Sequence, residues 1–242
     1  MRLARIMLVA LIATVGLVGC AQTSLSAPVG TYRVVALVNA SAVDGDLYSG
    51  QFCGGVVMSP DQIVTASHCV ASRSASTVAV VDGIEDLCVG RAGASSIALV
   101  EAIEVRPGTS GELTSLQLTT PLPGRASSES LPIPATGMTA LGWGRASHGG
   151  IAPCDLRAVD LREVAVSTCT DLLPRALEQG RVSCTVPKSE VNTCDGDSGG
   201  PVYTLADGRL TSVAIVVSGF GCGEHDAGLN IKIWDTKWPS QP

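Results

Sequence analysis

The sequence predicts an all-β protein built in two halves of about six strands each. Three observations carry that expectation. Short runs rich in Val, Ile, Leu and Thr recur along the chain, each bounded by Gly, Pro, Asp or Ser, the pattern of many short antiparallel strands in a barrel or a sandwich. The stretch Thr119 to Pro134 (TTPLPGRASSESLPIP) has four prolines in sixteen residues and little strand pattern, so it reads as a linker between the halves. With 242 residues, 45% of them hydrophobic and 16% charged, the chain can bury a substantial core and is not a disordered polymer. No repeat at a fixed period points to a solenoid.

Taken in order, the chain begins with Arg2 and Arg5, runs apolar for thirteen residues from Ile6 to Val18, and ends this segment in small residues before Cys20. That layout is an export signal, and the apolar run is too short to span a bilayer comfortably. Leu17-Val18-Gly19-Cys20 resembles the lipobox of bacterial lipoproteins, which implies removal of residues 1–19, a lipid on Cys20 and anchoring to a membrane outside the cytoplasm. The other reading is an ordinary signal peptide with an incidental cysteine and a secreted product. Cysteine parity favours the lipid: there are nine, and setting Cys20 aside leaves eight, a disulfide number suited to an oxidising compartment. Residues 20–30 read as a small, uncharged tether. The first half then spans residues 31–118, with strands expected at Tyr32 to Asn39, Phe52 to Met58, Gln62 to Ala66, Thr77 to Val81, Ser96 to Val105 and Glu112 to Leu118. After the linker at 119–134, the second half spans 135–242, with strands at Gly137 to Gly142, Leu156 to Val166, Val182 to Val186, Pro201 to Thr204, Leu210 to Ser218 and Leu229 to Ile233. Only Cys169 to Gln179 has a helical pattern. Without the leader the chain carries 14 basic and 22 acidic side chains; that balance argues against a nucleic-acid partner, and the absence of a long acidic run makes the charge one of solubility.

Two segments carry chemistry. Cys194-Asp195-Gly196-Asp197-Ser198-Gly199-Gly200-Pro201 brackets a serine with glycines, as a nucleophile on a tight turn with converging backbone N–H groups requires, although a Gly-rich hairpin would read the same in isolation. Thr65-Ala66-Ser67-His68-Cys69 places a histidine at the end of an apolar strand, whereas His148 and His225 lie in loop-like surroundings. Together with Phe52-Cys53-Gly54-Gly55-Val56-Val57 and Gly142-Trp143-Gly144, these segments resemble the chymotrypsin-like serine proteases, whose motifs read TAAHC, CGGSLI, GWG and GDSGGP. The resemblance runs from about Tyr32 to Trp238. It implies two six-stranded antiparallel β-barrels with a short intermediate helix, protein or peptide substrates and no cofactor. His68 would be the general base, Ser198 the nucleophile, and the N–H groups of Gly196 and Ser198 the oxyanion hole. It also implies disulfides Cys53 with Cys69, Cys169 with Cys184 and Cys194 with Cys222, which leaves Cys88 with Cys154. A metal site fits poorly, since the histidine and cysteine spacings follow no zinc pattern.

The chain departs from that family at four places. Where the family has an Asp heading a D-I-A-L-L-x-L strand, this chain has Glu112, 44 residues after His68, so the expected triad acid carries an extra methylene. Ungapped alignment puts Val217 at the family's acid-supporting serine and Ser218 at the tryptophan of its S-W-G segment; a one-residue slide makes Ser218 that serine and deletes the tryptophan. No Ile-Val-Gly-Gly precedes Tyr32 to supply the amine that in the family pairs with the Asp beside the nucleophile, here Asp197. The specificity pocket would have Asn192 at its floor and Gly219 and Gly228 as walls, a neutral site ill-suited to Lys or Arg. An active serine endopeptidase is the leading expectation, and a pseudoprotease used for surface binding is its rival.

Overall fold

Among the described residues twelve strands form, and most fall on runs rich in β-branched residues bounded by turn residues. The computed structural model describes residues 33–106, 109, 111–123, 136–172, 179–207, 209–223 and 225–235. The export signal, Cys20, the tether and residues 124–135 of the linker lie outside the described residues. The first half contains β1 (Val34–Asn39), β2 (Gln51–Ser59), β3 (Gln62–Ala66), β4 (Val78–Asp82), β5 (Ser96–Val105) and β6 (Leu113–Leu118). The second contains β7 (Gly137–Gly142), β8 (Arg157–Val164), β9 (Val182–Pro187), β10 (Pro201–Ala206), β11 (Arg209–Gly219) and β12 (Gly228–Asp235). Each half closes into an antiparallel barrel, in the orders β1-β2-β3-β6-β5-β4 and β7-β8-β9-β12-β11-β10. The circuit is the same in both, and closure leaves no strand edge open.

The barrels are held together by covered faces and covalent links. Val35 and Leu37 of β1 face a core shared with the interior of both barrels, while Ala36 and Val38 face a second cluster that includes Trp143 from the other half. This double burial explains why β1 reads as a nearly continuous apolar run rather than an alternating one. Trp143 is 1% exposed, and its indole N–H donates to the Glu85 carbonyl at 3.1 Å. Beside it, Leu87 N–H donates to Cys154 O and Leu156 N–H to Glu85 O, and a disulfide joins Cys88 to Cys154 across the same seam. Three further disulfides join Cys53 to Cys69, Cys169 to Cys184 and Cys194 to Cys222.

Two local expectations need correction. A short α1 helix (Leu47–Gly50) interrupts the first half, with the Asp46 side chain accepting from Ser49 N–H as its N-cap; one turn of helix is too short to show a 3.6-residue period. The expected helix at Cys169 to Gln179 is a 3-10 segment over Val166–Leu172 where described, and residues 173–178 lie outside the described residues.

Candidate active site

The histidine and the serine come from two chain segments that the two barrels bring to one cleft, and the glutamate comes from a third segment beside the histidine. His68 follows β3 in a single 3-10 turn, Ser67–Cys69. Its position is set from both sides. The Cys53–Cys69 disulfide anchors the next residue to β2, and Arg73 donates to the Cys69 carbonyl at 3.1 Å while its guanidinium lies 3.7 Å over the Phe52 ring. Glu112 heads β6 opposite this turn. Its N–H donates to Thr109 O and its carbonyl accepts from Ser67 N–H, so the β3–β6 ladder, which pairs Ala66 with Leu113, continues one step and seats Glu112 beside His68.

Ser198 sits where the barrels touch, and glycines make that approach possible. Gly54 N–H of β2 donates to the Ser198 carbonyl at 2.8 Å. A Cβ on Gly54 would lie 2.9 Å from Gly200 Cα, and one on Gly199 would overlap Thr65 Oγ1 and the Gly54 carbonyl. Gly196 and Gly199 hold φ of 97° and 81°, a region that L side chains rarely adopt. These contacts give a physical reason for the paired glycines in both motifs. Within the loop, Asp197 N–H donates to Cys194 O, Gly200 N–H to Asp197 O and Gly199 N–H to Val216 O, while Gln51 Nε2 reaches the Gly196 carbonyl at 3.0 Å. Among the described residues, the N–H groups of Gly196 and Ser198 donate to no protein acceptor. They are free to meet an oxyanion.

The two acids differ in their surroundings. Asp197 is 3% exposed; Oδ1 accepts from Gly144 N–H at 2.8 Å, Oδ2 from Cys194 N–H at 2.9 Å, and an Arg157 terminal nitrogen lies 3.4 Å from Oδ2. Burial pushes this carboxyl's pKa up, against the pull of the Cys194 N–H, Arg157 and the Gly144 N–H. Every one of those partners is an N–H donor, so the ionised form fits the site. Room for it comes from Gly142 and Gly144, since a Cβ at either would overlap the carboxylate. Glu112 is half-buried, and among the described residues its carboxylate makes no hydrogen bond. Burial lowers the His68 imidazole pKa, and the nearby charge of Glu112 opposes it by raising it.

The cleft, of about 450 Å³, is lined by His68, Ser198, Val217, Gly219, Phe220 and Gly228 among others. Val217 is buried and Ser218 exposed, and both line the cleft. Gly219 and Gly228 lie in the cleft wall. Asn192 is 2% exposed; its NH2 donates to the carbonyls of Asp226 and Gly223 at 2.8 and 3.2 Å, and its oxygen accepts from Thr193 N–H. His148 borders the cleft, while His225 is exposed. The residues unmarked by sequence motifs are Thr109, Gln51 and Arg157; only Arg157 left a signal, since alternation along β8 puts it on the inward face with Val159 and Leu161.

Paired six-stranded barrels of one circuit, with a histidine delivered by the first and a glycine-bracketed serine by the second, define the chymotrypsin-like double-barrel class. The family model described as trypsin matches residues 29–237, and the chain belongs to this family of serine peptidases. It is 28% identical over 186 residues to a trypsin of Saccharopolyspora erythraea, across 71% of this chain and 77% of the other. Against trypsin alpha-4 of Lucilia cuprina the identity is 33% over 181 residues, 70% of this chain and 68% of the relative. Human kallikrein-7 is 28% identical over 200 residues, 77% and 75% of the two chains.

Proposed function

We propose that this chain is an active extracytoplasmic serine endopeptidase, anchored by lipid on Cys20, that cleaves peptide bonds through an acyl-enzyme on Ser198. The observation that carries the reading is the serine loop, which leaves the Gly196 and Ser198 N–H groups unengaged among the described residues beside a cleft shared with His68. His68 takes the Ser198 proton as Oγ attacks the scissile carbonyl; the two N–H groups receive the oxyanion; the imidazolium returns its proton to the leaving amine, and water releases the acyl group by the reverse sequence. Glu112 stabilises the imidazolium by charge. The open glycine walls, and a lining whose one acid among the described residues is the exposed Asp195, favour an uncharged, sizeable side chain at the cleavage position. Four disulfides support an oxidising location.

The pseudoprotease reading keeps one observation in its favour, the Glu112 carboxylate, which makes no hydrogen bond among the described residues. Covalent labelling by a fluorophosphonate probe separates the two. Labelling of the parent that vanishes in Ser198→Ala and slows in Glu112→Ala establishes the peptidase. A folded parent that takes no label makes the chain a binding module.

A further inference from the structure

We propose that Arg157 is a positioning residue that holds Asp197, and through it the oxyanion loop, so that the loop forms without an inserted N-terminal amine; this rests on the peptidase reading above. A carboxylate as deeply buried as Asp197 requires a partner. The family resemblance implies an α-amine created by cleavage, yet no Ile-Val-Gly-Gly precedes Tyr32. The chain supplies a cation from its own second barrel instead. One terminal nitrogen of Arg157 donates to the carbonyls of Gly144 and Arg145 at 2.6 and 2.8 Å and lies 3.4 Å from Asp197 Oδ2. The same nitrogen therefore ties the segment after Trp143 to the acid beside the nucleophile.

The fold explains why the cation is there. The β7–β8 register pairs Arg157 with Gly142, the residue whose missing Cβ leaves room for the Asp197 carboxylate. The entry to β8 is pinned by the Cys88–Cys154 disulfide and by Leu156 N–H on Glu85 O. Arg157 Nε and its other terminal nitrogen are shielded from solvent and have no acceptor among the described residues. A guanidinium buried with one nitrogen engaged is not there for solubility, and among the described residues the carboxylate it meets is that of Asp197.

Chemistry separates this arrangement from an inserted amine. An α-amine has a reference pKa near 8, whereas a guanidinium stays charged to above about 12. With Arg157 as the partner, the loop stays formed at alkaline pH whether or not the N-terminus is acylated. The test uses the full chain and two readouts: the rate of fluorophosphonate labelling at Ser198 from pH 7 to 11, and hydrogen-exchange protection of the Asp197, Gly199 and Gly200 amides. The parent should label at a level rate between about pH 8 and 10. Arg157→Gln should slow labelling by about 10²- to 10³-fold, the scale of a lost oxyanion donor, and lose the protection. Arg157→Lys should recover most of the rate at pH 8 and acquire a new fall near about pH 10.4, where an ordinary lysine loses its charge. A role in packing alone would leave the lysine variant as level as the parent. The proposal is overturned by an Arg157→Gln protein that labels and protects like the parent, or by a lysine variant without the alkaline fall. If Arg157→Gln does not fold, the lysine profile decides. A folded parent that never labels ends the peptidase reading, and amide protection in the arginine variants then still decides the role of Arg157.

Discussion

Asp197, next to Ser198 in the chain, and Glu112, whose charge is felt by His68, are two carboxylates that the chain treats in opposite ways. At Asp197 the side chain is the object of the architecture: two backbone N–H groups, an arginine and two glycines are arranged around its oxygens. At Glu112 the backbone is the object. Its N–H and carbonyl are both bonded, while the carboxylate reaches toward His68 with no hydrogen bond among the described residues. The contrast separates the parts of the site that must be rigid before substrate arrives from the part that supplies charge at adjustable range. An oxyanion hole works only if its donors are already aimed. An acid acting through charge loses strength gradually with distance, so a glutamate, with its extra methylene, can stand where the family has an aspartate.

The sharpest way to break the contrast is at the rigid side. Asp197→Ala leaves the half-buried Arg157 without its counter-charge and two buried N–H groups without acceptors, and should lower unfolding free energy by about 3 kcal/mol in a denaturant titration, with labelling lost. Next comes Gly54→Ala, whose Cβ would press on the backbone of Gly200; overpacking of this kind costs about 1–3 kcal/mol and should slow labelling by moving Ser198. At the adjustable side the order of effects reverses. Glu112→Ala should leave thermal unfolding nearly unchanged but reduce kcat/KM about 10²-fold, the scale of a misplaced catalytic group.

The same substitution has a signature in pH. Because desolvation lowers the His68 pKa, the free imidazole persists below the usual range, and the acid limb of kcat/KM should lie under the ordinary value of 6.5. Glu112 raises that pKa, so its removal should carry the limb still lower rather than higher. The smallest effect belongs to the pocket. A Cβ on Gly228 would make ordinary contacts, 3.7 Å from Thr185 Oγ1 and 3.8 Å from Thr193 Oγ1, so Gly228→Ala should fold normally. It should discriminate about tenfold or more against large side chains at the cleavage position, measured as the ratio of kcat/KM values for a large and a small peptide substrate.

These differences also account for what the amino acids announced in advance. The strands were legible because β-branched runs ended at turn residues, and β3, β5 and β7 occupy the spans expected for them. Gly54, Gly199 and Gly200 were legible as a motif, but their reason is steric and appears only when the two barrels meet. Arg157 was hard to find because its partner is 40 residues away, although its phase with Val159 and Leu161 marked it as inward-facing. Asn192 was read by its offset from the serine, and an offset says nothing of where an amide points; in the structure the amide donates to the Asp226 and Gly223 carbonyls.

The central claim is that the serine loop is formed in a chain that has not been cut to free a new amine. Its most direct test is mass spectrometry of the fluorophosphonate-treated protein, intact from Cys20 onward. A single adduct on Ser198 in that uncut chain is the predicted result. An adduct that forms only after proteolysis between residues 25 and 31 would contradict it.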